Sequence, residues 1–104
     1  MDDDTFEIPE LELRGHFTTR GAPVQVEGTV AGHAFYFRAK YEEWSFSVAL
    51  SPEVDPVDIC FPDQGFYREA VYGSSRAAAS FMPLPEARRI ITDCATEFLR
   101  GRAA

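Results

Sequence analysis

Three successive segments in the middle of the chain alternate between apolar and polar side chains, and this alternation limits the folds available more than any other feature. A period of two places every second residue on one face of a strand, whereas a helix would scatter the same residues around its circumference. Short turns at residues 31–32 and 42–43 separate the segments, which indicates an antiparallel meander with one apolar face. The apolar positions are Val24, Val26, Val30, Phe35, Phe37, Ala39, Tyr41, Trp44, Phe46, Val48 and Leu50.

Two further segments extend the predicted sheet. Residues 11–17 alternate around Leu11, Leu13 and Phe17, and residues 66–72 indicate a last strand. The sequence therefore predicts a sheet of four to five strands. Between the fourth segment and the last lies a long connection, residues 51–65, which contains three prolines and four acidic residues.

The C-terminal segment has the periodicity of an amphipathic helix. Pro85 suits the first helical turn, and Gly101 predicts the end of the helix. The apolar stripe and the apolar face of the sheet must both leave water, so we expect the two to pack together as an α+β domain of two layers. The predicted core is Phe35, Phe37, Trp44, Phe46, Val48, Ile90, Ile91, Cys94 and Phe98.

The charge is concentrated at the N-terminus. The chain has 104 residues and a net charge of -7, yet its first part holds Asp2, Asp3, Asp4, Glu7, Glu10 and Glu12 with no base. We expect residues 1–10 to be a flexible acidic tail, with Pro9 discouraging strand pairing, and residues 11–102 to be a single domain. The body of the chain is nearly neutral, which does not favour a nucleic-acid partner.

The sequence also favours a cytoplasmic protein. Its N-terminus lacks the basic and apolar regions of an export signal, and no apolar run approaches the length of a membrane span. Cys60 and Cys94 are too far apart for a Cys-x-x-Cys motif, and we expect both thiols to be reduced. Arg and Ala are abundant, whereas there is one Lys and no Asn, a bias typical of a GC-rich, bacterial genome.

No arrangement of residues predicts catalysis or a cofactor. His16 and His33 have no nucleophile in a recognisable motif beside them. The acidic residues of the 51–65 connection lack the spacing of an EF-hand loop, so we expect a solvated loop rather than a metal site.

A binding surface is the remaining functional signal. Tyr36, Arg38 and Lys40 project from one face of the central strand, and Glu27 could pair with either base across the neighbouring strand. Tyr67 and Arg68 on the last strand complete the set of candidate binding residues.

The expected function is that of a non-enzymatic protein-interaction module, such as an accessory or immunity-type protein. The second face of the sheet is sparsely polar and could receive another protein or a second copy of the chain. The alternative is a small-ligand-binding protein or minor enzyme with a pocket between the 51–65 connection and the sheet, in which Tyr67, Arg68, Glu69 and His16 would supply the polar groups.

Overall fold

The sheet and the C-terminal helix form the architecture that the sequence predicts, with one strand more than expected. The structure is a computed structural model that describes residues 4–73 and 75–103. Its six strands pair in chain order as an antiparallel meander, and the helix follows them. The elements are β1 (Thr5–Ile8), β2 (Leu13–Arg20), β3 (Val24–Val30), β4 (His33–Lys40), β5 (Glu43–Val48), β6 (Phe66–Val71) and α1 (Leu84–Ala103).

A two-residue turn joins β3 to β4. Val30 pairs with His33, and the two residues between them, Ala31 and Gly32, have φ angles of 50° and 82°. Positive φ at both central residues is the conformation whose twist matches that of the flanking strands. The turn therefore fixes the register in which Val26 pairs with Phe37 and Val24 pairs with Ala39 on the inner face.

One core lies between the helix and the inner face of the sheet, the face that α1 covers. Phe37 and Phe46 are fully buried there, and the Phe98 ring of α1 meets the Phe66 ring edge-on at 5.3 Å. All the residues predicted for the core belong to it, although Trp44 is only partly buried. The predicted pairing of an alternating apolar face with a helical apolar stripe is confirmed.

The additional strand, β1, arises from part of the segment expected to be a flexible tail. Thr5–Ile8 pairs with β2, and Pro9 follows the strand in a short 3-10 helix rather than preventing pairing. The Phe6 ring occupies the space above Gly15, where an added Cβ would lie 2.5 Å from a ring atom. Burial of this ring explains why the segment joins the sheet. Residues 1–3 of the predicted tail lie outside the described residues.

Two apolar residues that the alternation assigns to the inner face lie at strand ends instead. Tyr41 is in the turn after β4 with φ 58° and is 65% exposed, and Leu50 lies beyond the end of β5 and is 60% exposed. Ala49, predicted on the polar face, is buried. Once a strand ends, the period of two no longer determines where a side chain lies.

The helix and the segment before it close one end of the sheet. In residues 75–82, the Ala79 amide donates to the Tyr41 carbonyl at 2.8 Å, and the Ser80 hydroxyl accepts from the Tyr41 amide at 2.6 Å. The helix continues through Gly101 to Ala103, so the predicted stop at this glycine is wrong. Within the described residues, no helix combines the length and the apolar character needed to cross a membrane.

Candidate protein-interaction site

The long connection between β5 and β6 covers part of the outer face of the sheet, the face opposite α1. Its 3-10 helix, Pro56–Asp58, contacts β4 and β5, and the Ser47 hydroxyl donates to the Pro56 carbonyl at 2.7 Å. Ile59 follows this helix and is buried. The open second face expected from the sequence is therefore partly covered by this connection, and its exposed part includes the region near the β4–β5 turn.

The region near the β4–β5 turn brings together three of the five predicted binding residues. It is a shallow depression of about 230 Å³ near the β4–β5 turn. Its lining residues other than Trp44, here called the Arg38 cluster, are Arg38, Lys40, Tyr41, Glu43, Ser45, Tyr67 and Glu69. The strand register explains the grouping, because Arg38 pairs with Ser45, which in turn pairs with Glu69. Tyr36 lies one row away, in register with Ser47 and Tyr67.

The two bases of this cluster make no ion pair with any described residue. The Arg38 Nε atom is buried and has no hydrogen-bond partner, and no other buried side-chain nitrogen or oxygen of the described chain shares this condition. The Lys40 ammonium lies 4.9 Å from the centre of the Tyr41 ring. Glu27, the expected partner of one of these bases, makes no ion pair with either. A guanidinium donor without an acceptor is suited to receive a carboxylate or carbonyl oxygen from another molecule.

Tyr67 is held as a hydrogen-bond donor. Its hydroxyl donates to Glu69 Oε2 at 2.9 Å. Partial burial, this hydrogen bond and the Glu69 charge raise the pKa of Tyr67 to about 12, so the phenol stays protonated at neutral pH. Burial also raises the pKa of Tyr36, although the nearby Arg38 charge opposes the shift. Neither phenol is therefore activated as a base or nucleophile.

The fifth predicted residue, Arg68, lies on the other side of the sheet. The alternation in β6 places it opposite Phe46 on the inner face, where its guanidinium carbon lies 4.4 Å from the centre of the Phe66 ring. Arg68 Nε donates to Glu97 Oε1 of α1 at 2.7 Å. The structure thus separates Arg68 from Tyr67 and gives it a partner on the helix.

Ion pairs occupy only part of the charged surface of α1. Glu86 pairs with Arg89 at 2.7 Å, and Glu97 pairs with Arg68 of β6. No described residue forms an ion pair with Arg100. The C-terminal turns of α1 therefore present basic side chains.

None of the remaining titratable candidates, His33, Cys94 and His16, lines the depression that holds the Arg38 cluster. His33 Nδ1 lies 3.2 Å from the Ala49 carbonyl oxygen, so that nitrogen must carry the proton, and its ring meets Phe98 edge-on. Burial and the nearby acidic side chains of α1 raise the pKa of the Cys94 thiol to about 12, which keeps it unreactive. His16 is exposed on β2, opposite Glu27.

The residues that line the pocket between the long connection and the sheet differ from those predicted. A pocket of about 390 Å³ lies at the start of the connection, and Tyr67, Arg68, Glu69 and His16 are all absent from its lining. It is lined by Thr29, Gly32, His33, Ala34, Ala49, Leu50, Ser51, Pro52 and Val54. Within the described ranges 4–73 and 75–103, no three His, Cys, Asp or Glu side chains converge as metal ligands.

Comparison with known proteins found no matching family model, no matching curated protein and no matching solved structure.

Sequence reasoning missed Tyr41, Glu43 and Glu69 as members of the Arg38 cluster. The signal that could have located Glu69 is the strand register, which places it in the same row as Arg38. The Tyr41 position depends on where β4 ends. The lack of a partner for Arg38 Nε depends on side-chain packing that alternation does not describe.

Proposed function

We propose that the protein is a non-enzymatic protein-interaction module, of the accessory or immunity type, that binds a partner through the Arg38 cluster. The observation that carries this proposal is the buried Arg38 Nε atom without a hydrogen-bond partner. A buried donor left unpaired is destabilising by about 1–3 kcal/mol, and more when it is charged. A partner that supplies a carboxylate to the part-exposed Arg38 guanidinium gains a charge-assisted hydrogen bond there.

The residues around Arg38 support a protein as the partner. Arginine and tyrosine are enriched at interface positions that dominate binding energy, and the cluster combines Arg38 with Tyr41 and Tyr67. Val71 lies beside them on β6 and is 68% exposed. The depression is small and shallow, which suits a protruding side chain of a partner better than an enclosed small molecule.

The nucleophilic groups near this face favour binding over catalysis. Tyr67 keeps its proton because its pKa is raised to about 12, and the Ser47 hydroxyl is engaged by the Pro56 carbonyl. The Glu69 carboxylate that accepts from the Tyr67 hydroxyl raises the pKa of this phenol and so does not activate it as a nucleophile.

Affinity purification from native cells tests the proposal. The protein is used as bait in three forms: unmodified, Arg38→Gln and Arg14→Gln. Arg14 is a matched control, because it also lies on the outer face but is highly exposed and pairs with Glu7. We expect at least one protein to be retained by the unmodified and Arg14→Gln forms and to fall about tenfold or more with Arg38→Gln, since losing a desolvated charge contact costs about 2–5 kcal/mol.

The same experiment can refute the proposal. Identical sets of retained proteins for all three forms would contradict a role for Arg38 in partner binding. Sedimentation velocity distinguishes the self-association case, in which the partner is a second copy and the dimer is lost with Arg38→Gln alone. A monomer that retains no protein in any form would contradict an interaction role altogether.

A further inference from the structure

One long edge of the sheet is open. β6 pairs with β5 on one side, and no described strand pairs with its other side. The residues at its C-terminal end, Glu69, Ala70 and Val71, are exposed. An unpaired edge presents backbone donors and acceptors that can accept another strand, which is a common way for domains to bind extended peptides.

A groove runs between this edge and α1, and it is here called the β6–α1 groove. One half, of about 420 Å³, includes Trp44, Tyr72 and Ile90 in its lining. The other half, of about 630 Å³, includes Phe66 and Phe98. Arg68 and Glu97 line both halves, and their ion pair joins the sheet to the helix at the boundary between them. In a strand added to β6, every second side chain would point to the helix side of the sheet and enter one of these two halves.

The larger half is basic as well as apolar. Arg68, Arg100 and Arg102 line it, whereas Glu97 is its only acidic residue and is paired with Arg68. The described residues provide no ion pair for Arg100 or Arg102. The Arg102 guanidinium carbon lies 5.6 Å from the centre of the Phe98 ring. An occupant with both acidic and apolar side chains complements this half.

A second copy of β6 does not fit the edge well. Residues that pair across two antiparallel strands lie on the same face, so the two-fold pairings of β6 with itself that overlap most of the strand are centred on Arg68 or on Glu69. The first arrangement places two arginines opposite each other, and the second places two glutamates opposite each other. Like charges in directly opposed positions are destabilising.

We propose that the β6 edge accepts an extended acidic segment of a partner protein as a seventh strand. In this arrangement its apolar side chains enter the β6–α1 groove and its carboxylates contact Arg100 and Arg102. This inference rests on the proposed interaction function and names a second contact surface for it. Tyr67 and Arg68 lie on opposite faces of the same strand, so one added strand would lie beside both the Arg38 cluster and the groove.

A peptide titration tests this inference with the full chain. The probe is fluorescein-labelled Glu-Thr-Glu-Thr-Leu-Thr-Val, whose alternate residues are two glutamates, a leucine and a valine. The control peptide has lysine at both glutamate positions. Fluorescence anisotropy measures affinity, and amide chemical shifts in NMR spectra locate the binding site.

We expect the acidic peptide to bind at least about tenfold more tightly than the lysine peptide and to shift a continuous run of β6 amides, residues 66–71. Arg102→Glu should weaken binding by about tenfold, whereas Arg76→Glu, an exposed arginine before α1, should leave it unchanged. Added salt should weaken binding, because the arginine contacts are exposed to solvent.

Several outcomes would overturn the inference. No saturable binding at millimolar peptide, equal affinity for both peptides, or shifts confined to residues away from β6 and α1 each contradict it. Self-association of the unmodified protein that protects β6 amides would assign the edge to a second copy instead. Shifts confined to the Arg38 cluster and abolished by Arg38→Gln would overturn the groove inference while leaving the proposed interaction function intact.

Discussion

Phe6→Ala should destabilise the domain, because the ring attaches β1 to the rest of the sheet. Phe6 is 8% exposed, lies above Gly15, and has its centre 5.4 Å from that of the Phe17 ring. The Arg88 guanidinium carbon of α1 lies 5.0 Å from the Phe6 ring centre. The substitution therefore removes contacts with two strands and the helix at once.

The expected loss follows from the buried area. Removing about 150 Å² of buried apolar surface at about 25 cal/mol per Å² gives about 4 kcal/mol. This value is an upper estimate, because the unfolded chain already buries some apolar surface. We therefore expect the free energy of unfolding to fall by about 3 kcal/mol. This value is at the lower end of the range for Phe→Ala in protein cores.

Urea denaturation followed by Trp44 fluorescence measures this loss. The indole is partly buried in the core, and its ring centre lies 6.2 Å from that of Phe37, so its emission should report unfolding. Phe61→Ala is the matched control, because Phe61 is 63% exposed and its truncation should change stability by less than about 0.5 kcal/mol. A loss below about 1 kcal/mol for Phe6→Ala would refute the docking of β1 by this ring.

Three further predictions concern the core and the titratable groups. Phe37→Ala, at a fully buried position, should cost about 3–5 kcal/mol in the same denaturation experiment, and a loss under about 1 kcal/mol would contradict the face assignment. Iodoacetamide at pH 8 should modify the exposed Cys60 and spare the buried Cys94, as intact-mass spectrometry would show; equal modification would be inconsistent with the helix packing. Folding raises the pKa of Cys94 from 9.0 to about 12, so its stabilising contribution is complete below pH 9 and is lost as the pH rises from 9 towards 12. Cys94→Ala should therefore lose less stability than the unmodified protein between pH 8 and 11, and parallel pH profiles would contradict this.

Local periodicity predicted the elements whose side chains face a continuous core. The alternation from Val24 to Val48 located β3, β4 and β5, because burial against α1 imposes a strict period of two over these strands. The helix could be predicted equally well, because its apolar stripe faces the same core. The positions of these strands and of the helix therefore follow from local sequence patterns.

Features that depend on contacts between distant segments were harder to predict from the sequence. β1 forms because the Phe6 ring meets the bare backbone of Gly15, a match that no local pattern of residues 5–8 reveals. Alternation in β6 places Arg68 on the inner face, but its pairing with Glu97 of α1 depends on a contact that is distant in the sequence. Both assignments require knowledge of which segments become neighbours in space.

The candidate site was only partly predictable for the same reason. Alternation correctly grouped Tyr36, Arg38 and Lys40 on one face of β4. The reduced extent of that face depends on the 3-10 helix at Pro56–Asp58, which reaches back across β4 and β5. Prolines and acidic residues in this connection suggested a solvated loop, whereas the buried Ile59 secures it to the domain.

Site-specific photo-crosslinking in native cells tests the interaction role of the Arg38 cluster most directly. A benzophenone amino acid replaces Tyr41 in one protein and Arg14 in the other; both positions are highly exposed, but only Tyr41 belongs to the cluster. We predict a discrete covalent adduct with a partner from position 41, lost when Arg38→Gln is added, and none from position 14. The same adducts from both positions, or no adduct from position 41, would contradict the proposed role of this surface.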